Sequence, residues 1–314
     1  MNRQNIKIIT HAGNALDNND WQDIANFMKQ FPNRVKRSSG PNYYKSKLLY
    51  SPNGTSYVTR ALDSRGYCVG LTTLTKKKFI VDNKNYNAFE LGDSYVSIKF
   101  QGQGIYSRIL SDTLLNIKKK EDCKFIYSTP NTNSMPGLIK KGFILSNYQI
   151  HSKLLPLRFN QLFKFPLLKY LVSIYLFFLK IYLKINSKSN EITLINIKDI
   201  SNLPNEFNPN NQLEQHRSKE YLDWRFIKNP DEYLIYAVYL RKNYLGYLVL
   251  KEGLHNSAKT IYLADIFIDK KYLSYVSKVL SKILLKNFNK YAFASTWISK
   301  KSIFWKQISY CFPI

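Results

Sequence analysis

The sequence predicts an α+β fold organised as two tandem domains. Three observations carry this reading. A set of landmarks occurs twice in the same order; a β-branched and aromatic stretch is punctuated by turn residues; and an apolar run, a glycine-bearing loop and an amphipathic pattern follow one another.

The repetition is legible without gaps. YYKSKLLYSP, Tyr43 to Pro52, aligns with YLDWRFIKNP, Tyr221 to Pro230, at an offset of 178, so that tyrosine, a basic residue and proline coincide. Gly70 in GYCVGLTTL corresponds to Gly246 in NYLGYLVL, and LGDSYVS from Leu91 corresponds to LADIFID from Leu263, the offset drifting only to 172. Ahead of both sets stands a strand-like run, IKIIT from Ile6 and ITLIN from Ile192. Duplication puts the first domain at residues 1–150, an apolar linker helix at 151–190 and the second domain at 191–314.

Taken in order, the first half opens with the IKIIT strand. DNNDWQDIANFMKQF then places Asp and Asn caps before Trp21, Ile24, Ala25, Phe27 and Met28, which share a helical face. GTSYVTRALDSRGYCVGLTTLTKKKFIV reads as antiparallel hairpin material. YVSIKF is expected as a strand, GIYSRILSDTLLNIKKK as a helix and KFIYSTP as another strand. In that helix Ile105, Ile109, Leu110, Leu114 and Ile117 fall on one face, and Lys118, Lys119 and Lys120 complement the negative end of the dipole.

FKFPLLKYLVSIYLFFLKIYLKI, Phe163 to Ile185, is strongly apolar, yet its longest uncharged segment, Tyr170 to Leu179, has 10 residues, where a span needs about 20. A buried helix between the domains is the first expectation. The second is a helix in the membrane interface, giving peripheral contact at the inner face, with its lysines snorkelling.

Composition sets outer limits. At 314 residues and 45% hydrophobic content the chain can bury real cores. A formal net charge of +26 favours polyanionic partners, but the lysines are scattered among asparagines, isoleucines and tyrosines, so nucleic acid is not the expected partner. Cys68, Cys123 and Cys311 are odd in number and widely spaced, which suggests neither a disulfide framework nor a metal site. The opening residues lack an apolar core of signal-peptide length, and a cytoplasmic location is expected.

The glycines of KFQGQGIYSRIL raise the question of a phosphate. A loop between strand and helix gathers unpaired N–H groups at the positive end of the helix dipole, and Gly102 and Gly104 would let an oxygen approach the main chain. A P-loop would need Lys-Ser/Thr after the glycines; a dinucleotide fingerprint would need glycine at Ser107 and an acid after the next strand. Both are absent. QGQGIY instead resembles the Gln/Arg-x-x-Gly-x-Gly/Ala loop of the Gcn5-related N-acetyltransferases (GNAT). Asn131 precedes Gly142-Phe143 by the interval common in that family, and Tyr95-Val96-Ser97-Ile98 resembles its preceding strand. The resemblance covers residues 55 to 150 and, more loosely, the whole chain.

That resemblance implies two tandem GNAT-like domains, each a mixed, mostly antiparallel sheet flanked by helices. It implies acetyl-CoA as co-substrate without a metal, held by Tyr95, Val96, Ile98, Gln101, Gly102, Gln103, Gly104, Ile105, Tyr106, Ser107 and Asn131. It also implies direct attack of a small-molecule amine acceptor on the thioester, with an oxyanion held by backbone N–H from the Tyr95–Ile98 strand. Glu90 and Asp93 are the acids nearest the presumed centre, and Glu90 is the favoured base. On a regular strand the two point to opposite faces unless a bulge intervenes, and Asp93 recurs as Asp265, which argues for structure. Nothing ties Cys68 and His151 into a nucleophile and base.

Departures from the family pattern are equally specific. Tyr106 stands where the loop's last small residue would be, and Leu138 where many members carry the tyrosine that protonates the leaving thiolate, so water, Tyr127 or Tyr148 must substitute if any acid is used. KKYLSYVSKVL after the second LADIFID has no glycine, so the second domain is expected to shape the acceptor site and not to bind CoA. Trp224-Arg225 reads first as a packed domain-edge anchor and second as a lining of the cleft. An amino sugar of cell-envelope assembly is the acceptor suggested by analogy. The rival readings are an aminoacyl-tRNA-dependent ligase of the tandem GNAT-like type and a non-catalytic membrane-proximal module. A basic face would favour the first, and an apolar stripe left uncovered on the helix from Pro166 would favour membrane contact.

Overall fold

A computed structural model of the chain describes residues 5–31, 40–82, 84–120, 123–147, 149–158, 165–189, 191–203 and 214–312. In chain order the first elements are β1 (Lys7–Ala12), α1 (Asn18–Lys29), α2 (Pro41–Leu48), β2 (Tyr57–Leu62), β3 (Cys68–Val81), β4 (Lys84–Val96), α3 (Ile105–Lys120), β5 (Phe125–Tyr127) and α4 (Met135–Ile139). There follow β6 (Ile150–Pro156), α5 (Pro166–Asn186), β7 (Ile192–Ile197), β8 (Glu214–Gln215), α6 (Lys219–Leu222), β9 (Tyr233–Leu240), β10 (Asn243–His255), β11 (Ala258–Ile268), α7 (Val276–Asn287), β12 (Phe293–Ser299) and α8 (Trp305–Cys311). The chain forms two compact units, Met1–Leu145 with Pro209–Asp231, and Ser146–Asn208 with Glu232–Ile314.

In the first unit β1 to β5 lie side by side in chain order, antiparallel until β4, which pairs β5 in parallel. β8 adds a short antiparallel rung at the far end of β3, Phe79 to Gln215 and Ile80 to Glu214. This is the mixed, mostly antiparallel sheet that the resemblance implies. α1 starts where Asp17 accepts from Asp20 N–H and Asp20 returns the bond, and it buries the expected face: Trp21, Ile24, Ala25, Phe27 and Met28. These residues pack with Tyr44, Leu48, Val58 and Leu71. Leu74, Phe89 and Leu91 instead pack with Leu110 and Ile117 of α3 and Leu138 of α4.

Residues 209–231, which the sequence assigns to the second domain, belong to this unit. Trp224 is buried there and donates its indole N–H to the carbonyl of Ser46, 2.6 Å away. The two segments matched at offset 178 thus meet within one unit.

In the second unit the order is β6-β12-β11-β10-β9-β7, antiparallel except for the β11–β12 pair. Set β7, β9, β10, β11 and β12 against β1 to β5 and the order is the same; β6, which precedes β7 in sequence, supplies the outer strand. α5 and α7 cover one core containing Leu176, Leu183, Val279 and Ile283.

Two expectations are corrected. YVSIKF is not one strand: β4 ends at Val96, and Ile98–Phe100 form a 3₁₀ turn. Ser97 N–H bonds Val69 O at 2.9 Å, and Phe100 N–H turns back to Ser97 O at 2.8 Å, which ends the ladder. The stretch expected as a buried helix between domains is also different. Its first residues, Phe163 and Lys164, lie outside the described residues, while α5 buries only Leu176 and Leu183 and leaves most of its surface exposed.

Candidate active site

The glycine loop lies between the 3₁₀ turn and α3. Gly102 and Gly104 have φ of +77° and +74°, the left-handed region that a side chain disfavours. A Cβ added at either would meet nothing within 4 Å, so the main chain here borders open space. α3 begins directly after Gly104; no acid stands in its first turn, and its first N–H groups have no intrahelical acceptor. Gln101 fixes the approach by donating Nε2 to Val96 O at 3.0 Å. Two left-handed glycines at the start of a 16-residue helix fit a pyrophosphate.

The neighbouring strand is open on one edge. Among the described residues β4 and β5 pair over Ala88–Phe125, Phe89–Ile126 and Glu90–Tyr127, and none places a strand beside Leu91 to Val96 on that edge. Within this stretch lies a bulge: Gly92 pairs Thr73 and Tyr95 pairs Leu71, two residues of β4 opposing one of β3, with Asp93 at φ +46°. The bulge alters the faces. Glu90 and Asp93, which a regular strand would part, both approach Lys47 of α2.

Asp93 is buried and committed, accepting from Lys47 Nζ at 2.5 Å and from Thr73 Oγ1 at 3.2 Å. Burial alone would push Lys47 down, but Asp93, with Tyr43 and Glu90, holds the ammonium above the usual lysine range. Glu90 is 34% exposed and pairs at 3.0 Å with Lys77, which is 8% exposed. Burial would raise the Glu90 carboxyl; Lys77, Lys47 and Arg225 outweigh it and hold the group below the usual range. Burial moves Lys77 below the ordinary lysine value despite Glu90. Tyr127 completes this cluster, its phenol raised by burial and then by the charge of Glu90.

The structure places the other expected residues unevenly. Gly102, Gln103, Gly104 and Ser107 are exposed around the loop, whereas Ile105 is core and offers only its main chain. Tyr95 stacks on Phe31 at 4.5 Å, Val96 packs beside Ile105 and Ile109, and Ile98 stands exposed on the 3₁₀ turn. Asn131 Oδ1 accepts from Asn133 N–H and Ser134 N–H at 3.1 and 2.9 Å, building the turn into α4; what it can offer a ligand is its amide N–H. Leu138 is a core residue. Tyr148 lies outside the described residues.

Tyr106 is explained by Gly137. A Cβ on Gly137 would stand 2.6 Å from the Tyr106 ring, so the large residue in the loop is matched by a missing side chain on α4. The Tyr106 hydroxyl is buried and points towards Ser94 beside the bulge without closing a regular hydrogen bond. Cys68 is buried, and burial pushes its thiol up to about 12.

Sequence reasoning missed Lys47 and Lys77. A signal for Lys77 existed: period two in TLTKKKF puts Thr73, Thr75 and Lys77 on one face, and all three are buried.

Searches of protein-family models and of curated proteins give no match. Solved structures do match. A probable N-acyltransferase from Enterococcus faecalis V583 aligns over 95% of this chain and 67% of its own at TM-score 0.60 and 11% identity. A GCN5-related N-acetyltransferase from Anabaena variabilis aligns over 99% and 69% at TM-score 0.60 and 10% identity. The chain has the GNAT fold. Saccharomyces cerevisiae N-myristoyltransferase, solved with myristoyl-CoA, is similar over 92% of this chain and 76% of its own at TM-score 0.56 and 12% identity. At such identity the GNAT fold is what is shared, and the site residues are argued from this chain.

Proposed function

We propose that this chain is an acyl-CoA-dependent N-acyltransferase that moves an acetyl group from acetyl-CoA to a small-molecule amine, in the cytoplasm and by direct attack. The observation that carries the reading is the open Gly102–Gly104 loop at the start of α3, beside the unpaired edge of a bulged β4. Bound acyl-CoA supplies the thioester.

The chain's own residues do the rest. The amides of Gly104, Ile105 and Tyr106 hold the pyrophosphate, and Asn131 adds a donor. Main-chain N–H groups on the unpaired edge of β4 after Leu91 take the carbonyl oxygen. Glu90, ionised because Lys77, Lys47 and Arg225 act on it, accepts the proton that the acceptor amine loses and passes it to solvent through its exposed third. Tyr106 and Tyr127 stay protonated, since burial raises both phenols, and either can donate to the leaving sulfur. An amino sugar of cell-envelope assembly remains the favoured acceptor class.

Calorimetric titration with acetyl-CoA tests this, run alongside Gly104→Val and a transfer-RNA pool. Saturable binding that disappears in the variant supports the reading and justifies an acceptor screen. Absence of acetyl-CoA binding, or binding of RNA alone, overturns it.

A further inference from the structure

Helix α5 is apolar over most of its circumference, yet only one stripe is packed. Val172, Leu176, Leu179 and Leu183 recur at helical spacing and join the core beneath α7. The seam is pinned further down the helix: Tyr182 Oη donates to Tyr310 O at 3.2 Å, and Asn186 Nδ2 donates to Ser281 Oγ at 2.7 Å. On the opposite side Leu167, Leu171, Ile174, Phe178, Ile181 and Ile185 form a second stripe, all exposed, Leu167 to 75% and Phe178 to 63%. Together with Tyr170, Tyr175 and Phe177, that stripe covers roughly half the circumference.

Along one margin of the packed seam runs a row of different chemistry. Lys169, Ser173, Lys180 and Lys184 recur at intervals of four, seven and four residues, and the three lysines are exposed. They flank the apolar arc and do not interrupt it. α5 is long and apolar enough to cross a membrane. Spanning would carry the unit packed against this helix, with its polar surface, into the hydrocarbon, since one side of α5 is fixed to α7.

We infer that α5 is an in-plane membrane anchor: it lies along the surface of an anionic bilayer, its outer stripe in the acyl boundary and its lysines at headgroup level. Three features select lipid over a second copy of the chain. A net charge of +26 opposes self-association and is attracted to an anionic surface. The lysine row lies beside the packed seam, where headgroups would meet it when the outer stripe is immersed. The arc is rich in Tyr and Phe, residues suited to the interface. The inference stands on a different unit from the glycine loop and does not depend on the proposed activity.

Co-sedimentation of the full chain with phosphatidylcholine vesicles, with and without phosphatidylglycerol, tests it. The chain should pellet with the anionic vesicles and largely remain in solution with the neutral ones. Replacing Lys169, Lys180 and Lys184 by Gln should weaken anionic binding on the order of a hundredfold. A Leu171→Glu, Phe178→Glu double variant should abolish binding while circular dichroism and the thermal midpoint stay unchanged, since both side chains face outward. Failure to pellet with anionic vesicles, or binding that survives the double variant, overturns the inference. So does a concentration-dependent dimer in light scattering that the double variant dissolves, because a second copy would then cover the stripe. Vesicle binding that resists alkaline extraction overturns the in-plane geometry in favour of a span.

Discussion

In each unit the third strand carries one extra residue just before a glycine: Val69 before Gly70 in β3, Leu245 before Gly246 in β10. The carbonyl of that residue accepts, at 2.9 Å in both cases, the N–H of the residue just after the neighbouring strand, Ser97 after β4 in one unit and Asp269 after β11 in the other. Ser97 and Asp269 have nearly the same backbone angles, and each opens a 3₁₀ turn. From there the units part. The first proceeds through two left-handed glycines into α3; in the second the Asp269 carboxylate accepts from Lys271 N–H, and the turn runs through Lys270–Tyr275 into α7. A shared frame thus leads into two different helix approaches. Bare amides at one helix start invite an anion, while a carboxylate at the other repels one.

The sharpest way to break this contrast is Gly104→Val, which forces a β-branched side chain into φ +74° and fills the cradle; acetyl-CoA titration heat should vanish, whereas Leu273→Ala in the second unit should leave it intact. Next in size is Glu90→Gln. Acylation measured as kcat/KM should fall by about 10² to 10⁴ with acetyl-CoA affinity unchanged, and Asp265→Asn, in the corresponding strand, should do neither. A rate that survives Glu90→Gln removes Glu90 from the mechanism.

The matched glycines sharpen the comparison structurally. In Gly246→Ala the new Cβ would stand 2.0 Å from Phe267 O at φ +149°, an unyielding backbone contact, and denaturant unfolding should show a loss of about 3 kcal/mol. In Gly70→Ala the nearest atom is the Ile109 Cδ1 at 3.0 Å, which can turn aside, so the loss should be about 1 kcal/mol. Equal losses would mean that the two bulges are not equivalent.

Smaller effects come from protonation. Folded Glu90 holds its proton less tightly than the unfolded residue, whose ordinary value is 4.5, so its ion pairs add stability above that pH and lose it as pH falls through the lower folded value. Unfolding midpoints across the acid range should therefore flatten in Glu90→Gln. The smallest change expected is Tyr106→Phe, which removes a buried hydroxyl lacking a regular partner and should leave stability within about 1 kcal/mol. If it nonetheless lowers kcat while acetyl-CoA binding holds, the proton donor is Tyr106 and not Tyr127.

Local chemistry was readable from the chain alone: the Asp17 cap and buried stripe of α1, the apolar face of α3, the hairpin turned at Asp63–Gly66, and the glycines that only a left-handed loop needs. These follow from side-chain spacing and backbone sterics within a few residues. The strand order is the same in both sheets, but the second copy of the Tyr43–Pro52 landmark, Tyr221 to Pro230, folds into the first unit. Tertiary structure alone decided the rest. An aspartate tolerates a positive φ, so the bulge at Asp93 is silent in sequence, and with it the meeting of Glu90 and Asp93 around Lys47. Trp224 and Arg225 lie far along the chain from Ser46 and Glu90, and only long-range packing brings them there. The apolar run from Pro166 could equally have been core; which of its faces finds a partner is set by the surface of α7 and not by its own composition.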